Sequence, residues 1–272
     1  MTTTRRTLLA GSAAAATGAL TGASTGVSTR ASAAPAHTQP GGKPKPTVVL
    51  VHGAFADASG WNDVAARLIR DGYPVIAPPN PLRGVAADSA YLASVLATLS
   101  GPLVLVAHSY GGMVITNAAT GNANVTALVY VAAFAPDGGD TLPGLQYRYP
   151  GSKLTPEALD YRPHSTGADA YIKKELFRDA FAADVPKTTA ALMWASQRPL
   201  HVGAFEEPSG APAWNTIPSW YIAARNDQVI PVAAQRFMAQ RARARLVEAN
   251  TSHVAMFSQP AATANLITRA AR

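Results

Sequence analysis

The chain has no cysteine. Disulfides and thiolate metal sites are therefore excluded. Charge is sparse as well: charged residues make up 14% of the sequence and hydrophobic ones 48%, the balance of a globular chain and not of a disordered one. No H-E-x-x-H or comparable metal spacing occurs, no G-x-G-x-x-G follows an apolar run, and there is no phosphate loop. Metal, phosphate and dinucleotide sites are accordingly not expected, and neither a metal nor an organic cofactor is implied. Long hydrophobic runs are missing too. The Ala/Gly/Thr stretch after Leu9 is broken by Gly18, Gly22 and Gly26, so no stable membrane insertion is expected. The formal net charge is +7, but the first 33 residues supply Arg5, Arg6 and Arg30 and no acid, which leaves +4 for the rest. The other basic residues are scattered, apart from Arg241, Arg243 and Arg245. Without a basic stripe interleaved with aromatics, nucleic acid is not an expected partner.

Two segments precede the fold. Thr4-Arg5-Arg6-Thr7-Leu8-Leu9 has the pattern of a twin-arginine export signal, and Ala31-Ser32-Ala33 that of an A-x-A cleavage site. Residues 1–33 are read as a signal peptide and 34–46 as a Pro/Gly-rich flexible leader. The mature chain then starts near Ala34, outside the cytoplasm, and folds before it crosses the membrane.

From Thr47 onward, strands and helices alternate. Thr47–Val51 is a continuous apolar, β-branched run that ends in His52-Gly53-Ala54-Phe55. Trp61, Val64, Ala65, Leu68 and Ile69 fall on one helical face closed by Gly72. Val75-Ile76-Ala77 is a second strand, and Asp88 to Leu99 a helix with Tyr91, Leu92, Val95, Leu96 and Leu99 facing inward. Leu103–Ala107 and Ala127–Ala133 are the third and fourth strands. The rhythm breaks between 136 and 214, an aromatic-rich stretch read as a cap of short helices over the strand ends. It resumes with strands at Ser219–Ala223 and Arg245–Glu248 and helices at Pro231–Ala242 and Pro260–Ala271. This pattern predicts an α/β fold with a mostly parallel six-stranded sheet, helices on both faces, and a small, mainly helical cap.

Such sheets bind ligands at the carboxyl ends of their strands, and three strand ends carry the side chains that nucleophilic catalysis needs. Ala107-His108-Ser109-Tyr110-Gly111 reads as strand, sharp turn and helix, the G-x-S-x-G elbow with alanine in place of the first glycine. Small residues two before and two after the serine let neighbouring backbone come close. A serine hydroxyl is a poor nucleophile at neutral pH and needs a histidine to take its proton and an acid to hold that histidine's tautomer. Asp227 follows the fifth strand and His253 the sixth. The chain order Ser, Asp, His is that of the α/β-hydrolase fold. The oxyanion then requires two donors. Tyr110 N–H is the first, and the second is Ala54 N–H, with Phe55 as the alternative. His52 is read as a loop-supporting residue and His108 as pointing away from the cleft. Phe55, Phe134, Trp194 and Trp214 are candidates for the substrate pocket.

On the blocks Val-His-Gly-Ala-Phe, Ala-His-Ser-Tyr-Gly-Gly-Met, Arg-Asn-Asp-Gln-Val-Ile-Pro and Ser-His-Val-Ala-Met-Phe-Ser-Gln-Pro, the chain resembles the α/β-hydrolase superfamily. Within it, the chain is similar to the subgroup that joins small carboxylesterases, including plant methylesterases and bacterial pyrethroid-hydrolase-type esterases, with plant hydroxynitrile lyases. The resemblance implies a serine carboxylesterase acting through an acyl-enzyme, and the cap aromatics, with Phe55 and Tyr110, suggest an apolar pocket and so small to medium hydrophobic esters or lactones. Its alternatives are lyase-like or perhydrolase chemistry on the same triad. A weakly catalytic ligand-binding protein is a third reading. The lyases of the subgroup carry a lysine directly after the histidine and a threonine in the first oxyanion loop. Here those positions are Val254 and Gly53, and no cation stands ready for a cyanide leaving group. The expected partner is therefore a small-molecule ester.

Overall fold

The computed structural model describes residues 44–272. The signal expected at 1–33 lies outside them, and only the last three residues of the expected leader, 44–46, fall within, carrying neither helix nor strand.

The first half of the described chain runs β1 (Thr47–Val51), α1 (Asn62–Arg70), β2 (Val75–Ile76), α2 (Val85–Ala97), β3 (Leu103–Ser109), α3 (Gly111–Ala118) and β4 (Val125–Ala133). An insertion follows with α4 (Leu142–Gln146), β5 (Leu159–His164), β6 (Gly167–Ile172), α5 (Lys174–Phe181), α6 (Lys187–Ala195), β7 (Leu200–His201) and α7 (Gly203–Glu206). The chain then closes with β8 (Ser219–Ala224), α8 (Val232–Arg241), β9 (Arg245–Ala249), α9 (Ala255–Ser258) and α10 (Pro260–Ala270).

The main sheet has six strands in the order β2-β1-β3-β4-β8-β9, and every neighbouring pair is parallel. Parallel strands are covered on both faces, which is why β1, β3 and β8 read as unbroken apolar runs. All of β3 and β8 is buried. α1 packs on α10, which crosses β3, β4 and β8; α2 packs on α3, which lies against β1, β3 and β4. Because all six strands point the same way, their carboxyl ends gather His52, Ser109, Asp227 and His253 along one edge.

Two helix faces differ from expectation. Ile69 is 59% exposed, since α1 ends one residue later at Arg70 and Gly72 turns the chain with φ 79°. α2 starts a turn before Asp88 because Glu207, beyond α7, caps it. Its carboxylate accepts Val85 N–H at 2.6 Å and Ala86 N–H at 2.9 Å, an anion placed on a helix N-terminus. Asp88 thereby turns inward to accept Tyr110 Oη–H at 2.7 Å, and Tyr91 faces out.

Helices predominate in the insertion, but it also carries strands that its sequence does not announce. β5, β6 and β7 form an antiparallel sheet in that order. β5 hides itself in the sequence. Only Leu159 is buried, and Asp160 to His164 are exposed, so the strand is held by backbone pairing with β6 and shows no apolar alternation.

Candidate active site

Ser109 closes β3 with φ 51°. A non-glycine residue in that region carries local strain of about 1–3 kcal/mol, and such strain persists only where neighbouring structure enforces it. The enforcement is visible at the adjacent glycines. A Cβ on Gly111 would stand 2.8 Å from Val51 O, and one on Gly112 only 1.9 Å from Phe134 O. Gly53 brings the loop after β1 equally close, because its Cβ would meet the Ser109 Cβ at 2.7 Å. Ala107, in place of the usual first glycine, is fully buried between Val51 on β1 and Tyr130 on β4.

Asp227 and His253 are joined directly. His253 Nδ1–H donates to Asp227 Oδ2 at 2.7 Å, and both side chains are fully buried. The carboxylate is saturated, since Oδ1 also accepts Val229 N–H at 2.7 Å and Ile230 N–H at 3.0 Å, and Oδ2 accepts Gln235 Nε2–H at 2.8 Å. With Nδ1 committed as donor, Nε2 is the basic nitrogen, and it is buried without a partner among the described residues. Ser109 Oγ likewise makes no hydrogen bond there. No Ser109–His253 hydrogen bond is formed here; catalytic bonds of this kind often tighten only around the substrate.

The loop after β1 separates the two oxyanion alternatives. Phe55 N–H donates to Arg198 O at 2.8 Å, so it is occupied. Ala54 N–H and Tyr110 N–H have no acceptor among the described residues and remain available as donors. His52 supports this loop: its Nδ1–H donates to Gly53 O at 2.9 Å and its Nε2 accepts Asn80 N–H at 3.0 Å. Burial holds its pKa below the ordinary value.

Several functional contacts carried no sequence signal. Gln235, eight residues after Asp227 on α8, is fully buried and uses its whole amide: Nε2 donates to Asp227 and to Ile230 O at 2.7 Å, while Oε1 accepts Ala224 N–H at 3.0 Å. His108 does not simply point away. Its Nε2–H donates to His253 O at 3.1 Å and its ring lies 4.6 Å from the His253 ring, while burial pushes its pKa well down. From the cap, Asp184 accepts Ser252 N–H at 2.8 Å and Ser252 Oγ–H at 2.5 Å, and Phe181 sets its ring edge against His253 at 5.0 Å.

A cavity of about 20 Å³ sits over Ser109, room for about one water molecule. Phe55 and Phe134 line it, together with Leu142, Gln146, Leu154 and Phe205. Trp194 and Trp214 do not. Their indole N–H groups are spent elsewhere, Trp194 on Ile172 O at 3.2 Å beneath the Lys174 ammonium, and Trp214 on Pro136 O at 2.7 Å at the root of the insertion. They brace the cap instead of lining the site. Among the described residues, no group of three or more His, Cys, Asp and Glu is placed to hold a metal ion, and no helix is long and apolar enough to cross a membrane.

The chain is similar to several known proteins. A carbendazim-hydrolysing esterase of a Nocardioides species is 36% identical over 110 residues, a match that spans 36% of this chain and 46% of that protein. A pyrethroid hydrolase of Sphingobium wenxiniae is 28% identical over 81% of this chain and 85% of its own length. The crystal structure of a pyrethroid hydrolase from Sphingobium faniae superposes with a TM-score of 0.67 at 25% identity, covering 83% of this chain and 97% of that one. The model of the alpha/beta hydrolase family matches residues 48–266, and the chain belongs to that family.

Proposed function

We propose that the chain is an exported serine carboxylesterase that cleaves small to medium hydrophobic esters through an acyl-enzyme. The observation that carries this reading is the Asp227–His253 pair at 2.7 Å with its unpartnered Nε2, set at the same sheet edge as a strained serine and two unoccupied amides. The names of the two curated relatives, both hydrolases and one an esterase, support it.

In the first half-reaction Ser109 Oγ attacks the ester carbonyl while His253 Nε2 takes its proton. Asp227, ionised and fully hydrogen-bonded, stabilises the imidazolium and does not itself accept the proton. Negative charge on the carbonyl oxygen is received by the N–H groups of Tyr110 and Ala54. Collapse expels the alkoxide, which His253 protonates, leaving Ser109 acylated. Water then repeats the sequence, with His253 as base toward the water and as acid toward Ser109, and releases the carboxylic acid. Val254, buried directly after the histidine, supplies no cation for a lyase leaving group.

The test is hydrolysis of nitrophenyl esters from acetate to dodecanoate by the chain starting at Ala34, beside Ser109→Ala. Turnover that disappears in the variant supports the esterase; absence of serine-dependent turnover on every ester defeats it. Export is tested separately by fractionating cells that express the full chain with Arg5 and Arg6 intact or both replaced by Lys. Retention of the Lys variant inside the cell is the expected result.

A further inference from the structure

The cavity over Ser109 contains one polar side chain that the mechanism does not use. Gln146, at the end of α4, lines it and is only 6% exposed. Both of its amide protons are spent: Nε2 donates to Ser152 Oγ at 3.0 Å and to Leu154 O at 2.7 Å. These partners fix which way the amide faces. A carbonyl oxygen cannot face Leu154 O, and the Ser152 hydroxyl gives its own proton to Val229 O at 2.8 Å, so it must accept from Gln146. Oε1 is therefore the end that is left over, and it has no partner among the described residues. Tyr110, the other polar lining residue apart from Ser109, sends its hydroxyl away to Asp88 at 2.7 Å. The remaining walls are apolar: Phe55, Phe134, Leu142, Leu154 and Phe205 among them.

We propose that Gln146 Oε1 is a specificity-determining acceptor that selects esters bearing a hydrogen-bond donor, a hydroxyl or an N–H, near the scissile bond. The proposal rests on the ester-hydrolysis reading and narrows its substrate class. The chemistry is asymmetric. A substrate hydroxyl placed here donates to an oxygen that no protein group among the described residues satisfies, whereas a methyl in the same place displaces water from that oxygen and leaves it unpaired. An ether or halogen sets one acceptor against another. A purely aliphatic pocket would favour the methyl instead, because burying it costs no hydrogen bond.

The experiment uses matched pairs that differ only as hydroxyl against methyl. On the acyl side, 4-nitrophenyl 2-hydroxypropanoate is set against the 2-methylpropanoate, and the 3-hydroxybutanoate against the 3-methylbutanoate. On the alcohol side, 2-hydroxyethyl butanoate is set against propyl butanoate, followed by proton release. The ratio of kcat/KM within a pair is the readout, with each ratio divided by that for alkaline hydrolysis of the same pair. We expect at least one pair to favour the hydroxyl by about tenfold, equivalent to about 1.4 kcal/mol, and Gln146→Met to bring that ratio to or below unity. Gln146→Asn, which keeps the amide and withdraws the oxygen by one methylene, should give an intermediate ratio and replaces the Met variant should that one not fold. The proposal is overturned by a wild-type enzyme that hydrolyses the methyl esters in a Ser109-dependent manner with no hydroxyl preference in any pair, or by a preference that survives both substitutions. Absence of Ser109-dependent turnover of every ester instead removes the esterase reading itself and this proposal with it.

Discussion

In the body of the molecule, Ser109 is held at φ 51° by glycines whose Cβ positions are already occupied by neighbouring backbone, and Asp227 accepts four hydrogen bonds. In the cap, the residues that reach the same site do so through apolar walls and a few clamps: Phe181 on the His253 ring, Asp184 on Ser252, Arg198 O on Phe55 N–H. The body thus constrains Ser109 and Asp227 by backbone packing and hydrogen bonds, and the cap adds Leu142, Gln146, Leu154 and Phe205 to walls it shares with Phe55 and Phe134. On the proposed reading the body carries the chemistry, while body and cap share the walls that would set specificity, so substitutions in the two regions should fail in different ways.

The largest effect belongs to the body. Ser109→Ala should lower kcat/KM by about 10⁴-fold or more with the fold intact by circular dichroism. Loss of comparable size from a cap wall residue would erase the division. Next comes packing against backbone. Gly112→Ala drives a methyl to within 1.9 Å of Phe134 O, and neither backbone has room to yield. A loss of about 3 kcal/mol or more, or failure to fold, is expected. In the cap, a Cβ on Gly138 would find only Gly210 O at 3.7 Å, so Gly138→Ala should stay within about 0.5 kcal/mol of the parent. Thermal melts of the two variants measure the contrast directly.

Gln235→Leu separates chemistry from packing inside the body. The substitution strips one donor from Asp227 Oδ2 and leaves Ala224 N–H and Ile230 O unpaired. The less stabilised carboxylate pulls harder on the His253 proton, so the acid limb of the kcat/KM profile should move to higher pH, alongside a fall of about 10- to 100-fold in kcat. A fall in stability with an unmoved acid limb would reduce Gln235 to a packing role.

Much of the body was legible in the sequence for a physical reason. Parallel strands buried on both faces leave continuous apolar runs, and the elbow needs its small residues at fixed spacing, so β1, β3, β8 and the order Ser109, Asp227, His253 stand out. What stayed hidden depends on contacts between distant segments. The early start of α2 is set by Glu207, more than a hundred residues on, and Gln235, which supports Asp227, sits on α8, a helix with too little apolar periodicity to tell a buried glutamine from a surface one. The cap was least legible. β5 has no alternation to read, and Trp194 and Trp214 were placed at the site because large aromatics suit an apolar pocket, whereas their N–H groups bind backbone carbonyls elsewhere. Gln146 drew no attention, because a lone glutamine gains meaning only once its two protons are seen to be spent.

Acid sensitivity should also trace to the body. Burial holds the pKa of both His52 and His108 below the ordinary 6.5. The unfolded chain takes up protons at these rings as pH falls through 6.5 before the folded chain does, so the stability they contribute is present above that pH and is lost as pH falls below it. Between pH 7 and 5 a decline of roughly 1–3 kcal/mol is expected, with a shallower slope in His108→Gln. Asp88, raised above 3.8 by burial, has the opposite sign at lower pH. Glu248, drawn down to about 2 by Arg236 and Arg225, acts only below 4.5. Denaturant titrations at several pH values test the slope; a His108→Gln curve parallel to that of the parent would remove His108 from the account.

The effect that most sharpens the role of the cap lies at Phe205. Phe205, half-buried on α7, forms one wall of the 20 Å³ space over Ser109. It makes no side-chain hydrogen bond and does not touch Asp227 or His253 through any polar contact, so its removal leaves the proton path unaltered. Phe205→Ala enlarges the space by most of a phenyl ring. Short esters then lose contact area, and longer acyl chains gain room. The optimum in the nitrophenyl series should move toward longer chains, with kcat/KM ratios between long and short esters rising by about 10- to 100-fold, the scale set by one or two methylenes in an apolar pocket, while kcat on the preferred ester changes several-fold at most. An unmoved optimum would mean that acyl chains lie elsewhere, and the wall that sizes the substrate would have to be sought on the Phe55 and Phe134 side, within the body itself.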